Sequence, residues 1–254
     1  MQIAITGAAT GIGADTARKL IEAGAQITAF DLKEPDIEGV RWIEADLGDP
    51  AAIAHAVAEA NGPFDALINN AGVPPRDGLT ETILRVNYIG LVAMTEAMLP
   101  KLSPGASIVN TASRAGSAWR ENLDQVKALM ALDAEDLPKF IAAHQIDPTR
   151  AYNLSKEAVI VMTMARCTDM LARGLRMNSV SPAAVSTGIL DDFAAAFGEK
   201  MTRNVARSGR PGLPGEIADV IAFLASPQSA WIKGQDIVVD GGMTAIAQSE
   251  ALGL

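Results

Sequence analysis

The chain has 254 residues, of which 49% are hydrophobic, and this is enough for one α/β domain with a well-buried core spanning residues 1–254. Its formal net charge of -9 excludes nucleic acid and anionic membrane surfaces as expected partners, because both are negatively charged. Cys167 is the single cysteine, and His55 and His144 lie far apart, so we expect neither a disulfide nor a metal site and predict a reducing, cytoplasmic setting.

Short apolar runs alternate with longer helical patterns along the chain. The opening residues, MQIAITG, predict a strand rather than an export leader or a membrane span. The runs that predict strands are, in order, IAIT, AQITAF, VRWIEA, DALINN, ASIVNTAS, RMNSVSP and QDIVVDGG. Strands that are apolar on both faces need helices on both sides, so the pattern predicts a Rossmann-type, doubly wound parallel sheet of about seven strands.

Residues 117–149 interrupt this alternation with two helical patterns, ENLDQVKALMAL and AEDLPKFIAAH, where a direct connection would suffice. We interpret the segment as a helical insertion. Its apolar stripes need a surface to cover, and the helix that follows is the nearest one. The stripes consist of Leu123, Val126, Leu129 and Met130 in the first pattern and Leu137, Phe140 and Ile141 in the second.

A glycine-rich turn, TGAATGIG, follows the first predicted strand and begins a helix. Gly7, Gly11 and Gly13 allow a tight turn and let the backbone approach a pyrophosphate at the positive end of that helix. A plain helix start would use the same residues. Asp31, 20 residues after Gly11 at the end of the second strand, favours a dinucleotide, because its carboxylate can accept from both hydroxyls of an adenosine ribose.

The same carboxylate distinguishes the two nicotinamide cofactors. It would repel the 2′-phosphate of NADP by on the order of 1 to 4 kcal/mol. No arginine stands at Thr10 or Leu32 to offset this repulsion, although Lys33 is close in sequence. The sequence therefore predicts NAD.

The stretch AYNLSK places Tyr152, one of only two tyrosines, four residues before Lys156. On a helix this spacing puts the phenol and the ammonium on one face, about one turn apart. A phenol with an ordinary pKa of about 10 is a weak base at neutral pH, and a nearby cation favours its ionised form. The pair would suit proton transfer, although an ordinary surface pair could have the same spacing.

These motifs occur together in an order that resembles the short-chain dehydrogenase/reductase family over nearly the whole chain. The resemblance is carried by the glycine turn, NNAG at 69–72, Asn87, Ser113, Tyr152 with Lys156, and DGG at 240–242 after the PGEIADVIAFLAS helix. The insertion and the acid at residue 31 look most like the bacterial 3α-hydroxysteroid dehydrogenase/carbonyl reductases within that family.

The resemblance implies a sheet in the order 3-2-1-4-5-6-7 with a nicotinamide cofactor across its C-terminal edge. The catalytic set that it implies is Asn87, Ser113, Tyr152 and Lys156. The cofactor contacts that it implies are Gly7, Thr10, Gly11, Ile12, Gly13, Asp31, Asp46, Leu47, Asn70, Ala71, Gly72, Tyr152, Lys156, Val185 and Thr187. The family also implies a homodimer or homotetramer; if the insertion covers the Tyr152 helix, a dimer is favoured.

Several of these positions have a second interpretation from the residues alone. Either Thr111 or Ser113 could be a hydroxyl that closes a strand end, and only the motif position selects Ser113. Asn87, which the family uses to anchor a proton-carrying water, could equally be a satisfied amide inside a helix. Tyr88 has no cation one turn away, so we expect it to pack in the core. Ala183 stands where the family usually has glycine, which weakens the contacts expected at 185–187.

We therefore predict an NAD-dependent enzyme that interconverts a secondary alcohol and a ketone. The alternatives are a 3-oxoacyl carrier protein reductase and a non-catalytic NAD-binding protein. The substrate is expected to be hydrophobic or cyclic, such as a hydroxysteroid or terpenoid alcohol, because the residues expected around it are apolar. These residues are Val73, Pro74, Ile189, Leu190 and Phe193, together with the insertion.

Overall fold

Seven parallel strands form one sheet in the computed structural model, in the order β3-β2-β1-β4-β5-β6-β7. The structure describes residues 1–254, except for the side chain of Lys200. The strands are β1 Gln2–Thr6, β2 Gln26–Asp31, β3 Val40–Glu44, β4 Phe64–Asn69, β5 Leu102–Thr111, β6 Arg176–Pro182 and β7 Asp236–Val239. The predicted fold class, strand number and strand order are all confirmed.

Helices cover both faces of the sheet, as strands buried on both sides require. They are α1 Gly11–Glu22, α2 Pro50–Glu59, α3 Thr80–Leu84, α4 Leu91–Met98, α5 Leu123–Met130, α6 Leu137–Ala143, α7 Pro148–Ala165, α8 Cys167–Ala172, α9 Leu190–Ser208, α10 Pro214–Ala225 and α11 Met243–Leu252. One apolar core lies on the α2, α4 and α7 side, and the other lies beneath α1 and α10. The two cores fix the sheet between two helical layers.

A chain of buried amides and hydroxyls sets the position of α7 against the sheet. Asn69 of β4 donates to Asn110 of β5 over 2.9 Å, and Asn110 donates to Thr163 of α7 over 3.1 Å. Asn69 also donates to Thr95 of α4. Because buried polar groups are costly when unpaired, this network allows few alternative placements of α7.

The segment from 117 to 149 contains α5 and α6, as its periodicity predicts. Val126 and Leu129 of α5 are buried in the core shared with α7, so the first stripe covers that helix as expected. Leu137 and Phe140 of α6 are also buried, but α6 packs against α3 rather than α7. The expectation that both stripes cover the following helix is thus half correct.

A helical stretch at Thr80–Lys101 is long and apolar enough to cross a membrane by length and composition alone. Half of its most apolar window is buried inside the fold. The stretch comprises α3, a π-helical turn at Arg85–Gly90 and α4, and these elements pack against α7 and α2. Its apolar character is accounted for by these contacts with the core.

Candidate active site

The glycine turn lies between β1 and α1 at the C-terminal edge of the sheet. Gly7 has φ +70°, and a Cβ there would lie 2.6 Å from the Cα of Ala71. A Cβ on Gly13 would lie 1.9 Å from the Gly7 carbonyl oxygen. Both positions therefore need glycine, the first for its backbone angle and the second for the close approach of backbone. The Thr10 side chain, at the N-cap of α1, makes no capping hydrogen bond, so it leaves the first amides of the helix without a side-chain partner.

Asp31 ends β2 beside this turn and is held in place by backbone amides. Its Oδ2 accepts from Ala9 N over 3.0 Å, and its Oδ1 accepts from Lys33 N over 3.1 Å. The carboxylate is partly exposed and lies on the wall of the same cavity as the glycine turn. It is therefore in position to meet a ligand that is bound at the start of α1.

Ser113, Tyr152 and Lys156 meet where β5 ends and α7 begins. Ser113 is the N-cap of a short 3-10 turn, where its hydroxyl accepts from Ala115 N over 3.2 Å, and it lies close enough to the phenol to lower the pKa of Tyr152 in part. Lys156 Nζ lies 5.7 Å from the centre of the Tyr152 ring and donates to the Thr111 carbonyl oxygen over 2.8 Å. Thr111 uses its own hydroxyl on the Asn70 amide, 3.3 Å away. Of the two candidate hydroxyls, Ser113 is the one beside the phenol.

Burial has the largest effect on the pKa values of Tyr152 and Lys156. Burial raises the pKa of Tyr152 to about 12, and the hydrogen bond from Ser113 lowers it in part. Burial also lowers the pKa of Lys156 to about 8, because a charged ammonium is disfavoured away from water. In the ligand-free protein at neutral pH the phenol is therefore protonated, and the lysine is charged close to its titration range.

Asn87 lies in the π-helical turn at Arg85–Gly90 and is fully buried. Its Oδ1 accepts from Val73 N over 2.7 Å, and its Nδ2 donates to Val73 O over 3.0 Å. Nδ2 also approaches the Ser155 hydroxyl at 3.5 Å. The amide thus clamps the loop after β4, and its position matches the satisfied-amide interpretation of the sequence.

A cavity of about 750 Å³ joins the glycine turn to the Ser113–Tyr152–Lys156 group. Its wall contains the following predicted site residues: Gly7, Thr10, Gly11, Ile12, Asp31, Asp46, Leu47, Asn70, Ala71, Gly72, Ser113, Tyr152, Lys156, Val185 and Thr187. Gly13 and Asn87 are not among its described lining residues. Tyr88 is buried in the core, as expected, and lies outside that lining.

The substrate side of the cavity is largely aromatic and aliphatic. Phe193 packs edge-on against Tyr152 with ring centres 5.1 Å apart, and Phe197 stacks on Phe193 at 6.3 Å. Both lie on α9, which breaks at Gly198 with φ +50°. Val73, Pro74 and Ile189 line the cavity as predicted, whereas Leu190 is not among its described lining residues.

Two ion pairs fix the elements around this wall. Arg76, on the loop after β4, makes two 2.7 Å hydrogen bonds to Asp192 of α9. Arg114, next to Ser113, bonds Asp240 at 3.2 Å, and Asp240 caps the start of α11 through Thr244 N. The first pair joins the loop after β4 to α9, and the second ties the C-terminal segment to the serine turn.

Sequence reasoning missed part of this wall. The missed lining residues include Arg114, Asn122, Arg150, Asn153, Glu157, Phe197, Met201, Asn204 and Met243. Arg150, Asn153 and Glu157 could have been found, because their spacing places them together on one face of the Tyr152 helix. The α9 and α11 residues carried no signal of this kind, since their place depends on where separate elements meet.

Comparison with known proteins decides the family. The short chain dehydrogenase family model matches residues 1–123, and a model described as Enoyl-(Acyl carrier protein) reductase matches residues 139–244. The coniferyl-alcohol dehydrogenase of Pseudomonas sp. strain HR199 is 36% identical, with 95% of this chain and 96% of the relative covered. This chain belongs to the short-chain dehydrogenase/reductase family.

Two further comparisons support the resemblance to the hydroxysteroid enzymes. The 3-alpha-hydroxysteroid dehydrogenase/carbonyl reductase of Comamonas testosteroni is 33% identical, with 96% of each chain covered. The crystal structure of the 3-alpha-hydroxysteroid dehydrogenase from Pseudomonas sp. B-0831, complexed with NADH, has a TM-score of 0.87 at 34% identity and covers 98% of this chain and 99% of that one. This short-chain dehydrogenase/reductase is therefore an oxidoreductase of the alcohol and carbonyl type.

Proposed function

We propose that the protein is an NAD-dependent dehydrogenase that interconverts a hydrophobic, ring-bearing secondary alcohol and its ketone. The observation that carries the proposal is the meeting of Ser113, Tyr152 and Lys156 on the wall of a cavity that also contains the glycine turn. A proton-transfer group and a place for a dinucleotide thus share one cavity. We place the enzyme in the cytoplasm, where NAD is available.

The residues around the glycine turn fit a nicotinamide dinucleotide. Gly7 and Gly11 have positive φ, and a Cβ on Gly11 would lie 3.3 Å from Thr187 Cγ2, so side chains would fill the space a pyrophosphate needs. Asp31, fixed by Ala9 N, would accept from the adenosine ribose hydroxyls. The pairing of Asp31 with a ribose favours NAD over NADP, and the relative solved with NADH is consistent with this choice.

The chemistry follows from the groups at the end of β5. A bound nicotinamide supplies the acceptor or donor of hydride for the substrate carbon. In the oxidising direction, the Ser113 hydroxyl holds the substrate oxygen, and Tyr152 takes its proton once the phenol has ionised to the phenolate. The hydrogen bond from Ser113 and the Lys156 cation over the ring both favour the phenolate, against the opposing effect of burial. Lys156 is held by the Thr111 carbonyl, which keeps its charge near the phenol.

The wall beside the catalytic group supports a flat or ring-bearing apolar substrate. Phe193 and Phe197 present aromatic rings beside Tyr152, and Met201 and Met243 also line the cavity. Aromatic and methionine side chains are typical of pockets that bury large apolar ligands. Two relatives are named for coniferyl alcohol and 3α-hydroxysteroids, both of which contain rings.

The test is initial-rate kinetics on the purified protein with NAD and with NADP, followed at the absorbance band of the reduced nicotinamide. The substrates are a 3α-hydroxysteroid, a monocyclic secondary terpenoid alcohol, a 1-arylethanol, an acyclic diol and a sugar alcohol. We expect the highest kcat/KM with NAD and a ring-bearing alcohol. Turnover restricted to the diol or the sugar alcohol would contradict the proposed substrate class, and turnover of none would contradict the function.

A further inference from the structure

The catalytic helix presents a second polar face to the cavity beside the one that carries Tyr152 and Lys156. Arg150, Asn153 and Glu157 follow one another at intervals of three and four residues on α7, and all three line the cavity. Side chains at these intervals are neighbours on a helix, with Cβ atoms about 5 to 6 Å apart. The mechanism proposed above uses none of them.

Arg150 is fixed by its partners rather than free to move. Its two terminal nitrogens donate to the Glu157 carboxylate over 2.9 and 2.7 Å, and its Nε donates to Gln125 over 2.8 Å. The Glu157 side chain is 1% exposed and also accepts from Asn122 over 2.8 Å. A buried carboxylate with these bonds holds the guanidinium in a single orientation.

The guanidinium nevertheless keeps hydrogen-bonding capacity. Arginine has five N–H donors, and Arg150 uses three of them on Glu157 and Gln125. The other two N–H groups have no partner among the described residues. The Arg150 side chain is 25% exposed. Because the residue lies on the cavity wall, a ligand in the cavity is a natural acceptor for these donors.

Asn153 supplies an acceptor next to this donor. Its Oδ1 is buried and has no hydrogen-bond partner among the described residues. A buried acceptor left unpaired costs on the order of 1 to 3 kcal/mol, so such groups are usually matched by a ligand or a water. Asn153 is three residues from Arg150, which brings an acceptor and a donor to the same part of the wall.

We propose that Arg150 and Asn153 form a binding site for a second oxygen on the substrate, a hydroxyl or phenol distinct from the reacting one. A hydroxyl fits because it can accept from Arg150 and donate to Asn153 at once. This inference rests on the proposed function and narrows its substrate class to ring-bearing alcohols with a second hydroxyl group. The aromatic wall binds the ring, and the two polar side chains select the oxygen.

The proposed site would favour substrates with the second hydroxyl, because other substrates leave its polar groups unpaired. A substrate without the second hydroxyl would leave the free donors of Arg150 and the acceptor of Asn153 unpaired. We therefore expect kcat/KM to be about 10- to 100-fold lower for the deoxygenated substrate, which corresponds to the ordinary cost of one or two lost hydrogen bonds. NAD affinity should not depend on this difference.

The experiment compares matched alcohols on the full-length enzyme with NAD. The pairs are 1-(4-hydroxyphenyl)ethanol with 1-phenylethanol, and 1,4-cyclohexanediol with cyclohexanol. The variants are Asn153→Ala and the double variant Arg150→Met with Glu157→Gln, which removes the arginine without leaving its buried carboxylate unpaired. Arg166→Met, at the far end of α7 and outside the described cavity lining, is the matched control.

We expect the wild type and the control to prefer the hydroxylated member of at least one pair by tenfold or more, and both site variants to lose that preference. Two results would overturn the inference: ratios within twofold for both pairs in the wild type, or a preference that survives in both folded variants. Either result would leave the proposed function intact as long as one alcohol is turned over. Turnover of no alcohol would instead count against the proposed function.

Discussion

Lys156 lies over the face of Tyr152, with Nζ 5.7 Å from the ring centre, while its hydrogen bond goes to the Thr111 carbonyl. The cation is thus held near the phenol by the end of β5 rather than by the phenol itself. This arrangement keeps the charge in place whatever the protonation state of Tyr152. It also places a buried ammonium in the fold, which affects stability.

The burial of Lys156 predicts a pH-dependent stability. Its pKa is lowered from 10.5 to about 8 in the folded protein, so the unfolded chain binds more protons between these values. The free energy of unfolding should therefore rise with pH across this window, and the penalty is fully present below pH 8 at about 3 kcal/mol. Lys156→Met should be more stable than the wild type near neutral pH and should lose this pH dependence.

Urea unfolding at several pH values checks this prediction, with Lys127→Met, an exposed lysine on α5, as the control. The control should follow the wild type at every pH. A constant difference between Lys156→Met and the wild type from neutral to alkaline pH would show that burial of the charge does not limit stability.

Lys156→Ala should also weaken cofactor binding. The lysine lines the cavity beside Gly72, so we expect it to contact the nicotinamide ribose when NAD is bound. Titration of NAD by fluorescence should give a higher Kd, and kcat should fall as well. An unchanged Kd would restrict Lys156 to the proton-transfer step.

Asp31→Ala tests cofactor preference. Removing the carboxylate should weaken NAD and relieve the repulsion of NADP, which shifts the preference by roughly 1 to 3 kcal/mol. The ratio of kcat/KM for the two cofactors measures the shift directly, and Asp36→Ala, an exposed acid nearby, is the control. If the ratio is the same in wild type and variant, the carboxylate does not meet the ribose.

The burial of α7 within its own chain predicts a dimer rather than a tetramer. Most of α7 from Ala151 to Thr163 is buried within one chain, partly by α5, whereas Phe223 of α10, Val238 of β7 and Trp231 between them are exposed. A second copy would bury these apolar side chains. Light scattering should give a dimer, Phe223→Glu should give a monomer, and Leu171→Glu on α8 should remain a dimer. A stable tetramer paired through α7 would contradict this arrangement.

The sequence predicted the parts of the site that depend on short spacings. The glycines of the α1 turn, Asp31 and the Tyr152–Lys156 pair were found because each sits at a strand end or on a single helix turn. The substrate wall was predicted less well. Phe197 lines the cavity because α9 packs beside Tyr152, and Met243 lines it where Asp240 ties the start of α11 to Arg114; these are contacts between distant segments.

The difference between short spacings and distant contacts also explains two wrong predictions, one about the partner of α6 and one about Leu190. The periodicity of α6 shows an apolar stripe but not its partner, and the structure pairs it with α3. Leu190 was expected in the substrate wall, but it begins α9 and is not among the described lining residues. In both cases the residue type was correct and the direction it faces depends on the tertiary packing.

The role of Tyr152 is the central claim, and Tyr152→Phe tests it most directly. The variant keeps the ring that packs against Phe193 but cannot exchange a proton. NAD binding and the rate of alcohol oxidation should be measured side by side for wild type and variant with the best alcohol. We expect NAD affinity close to that of the wild type and kcat below about a tenth of its value; retention of more than that fraction of kcat would contradict the assignment of Tyr152 as the base.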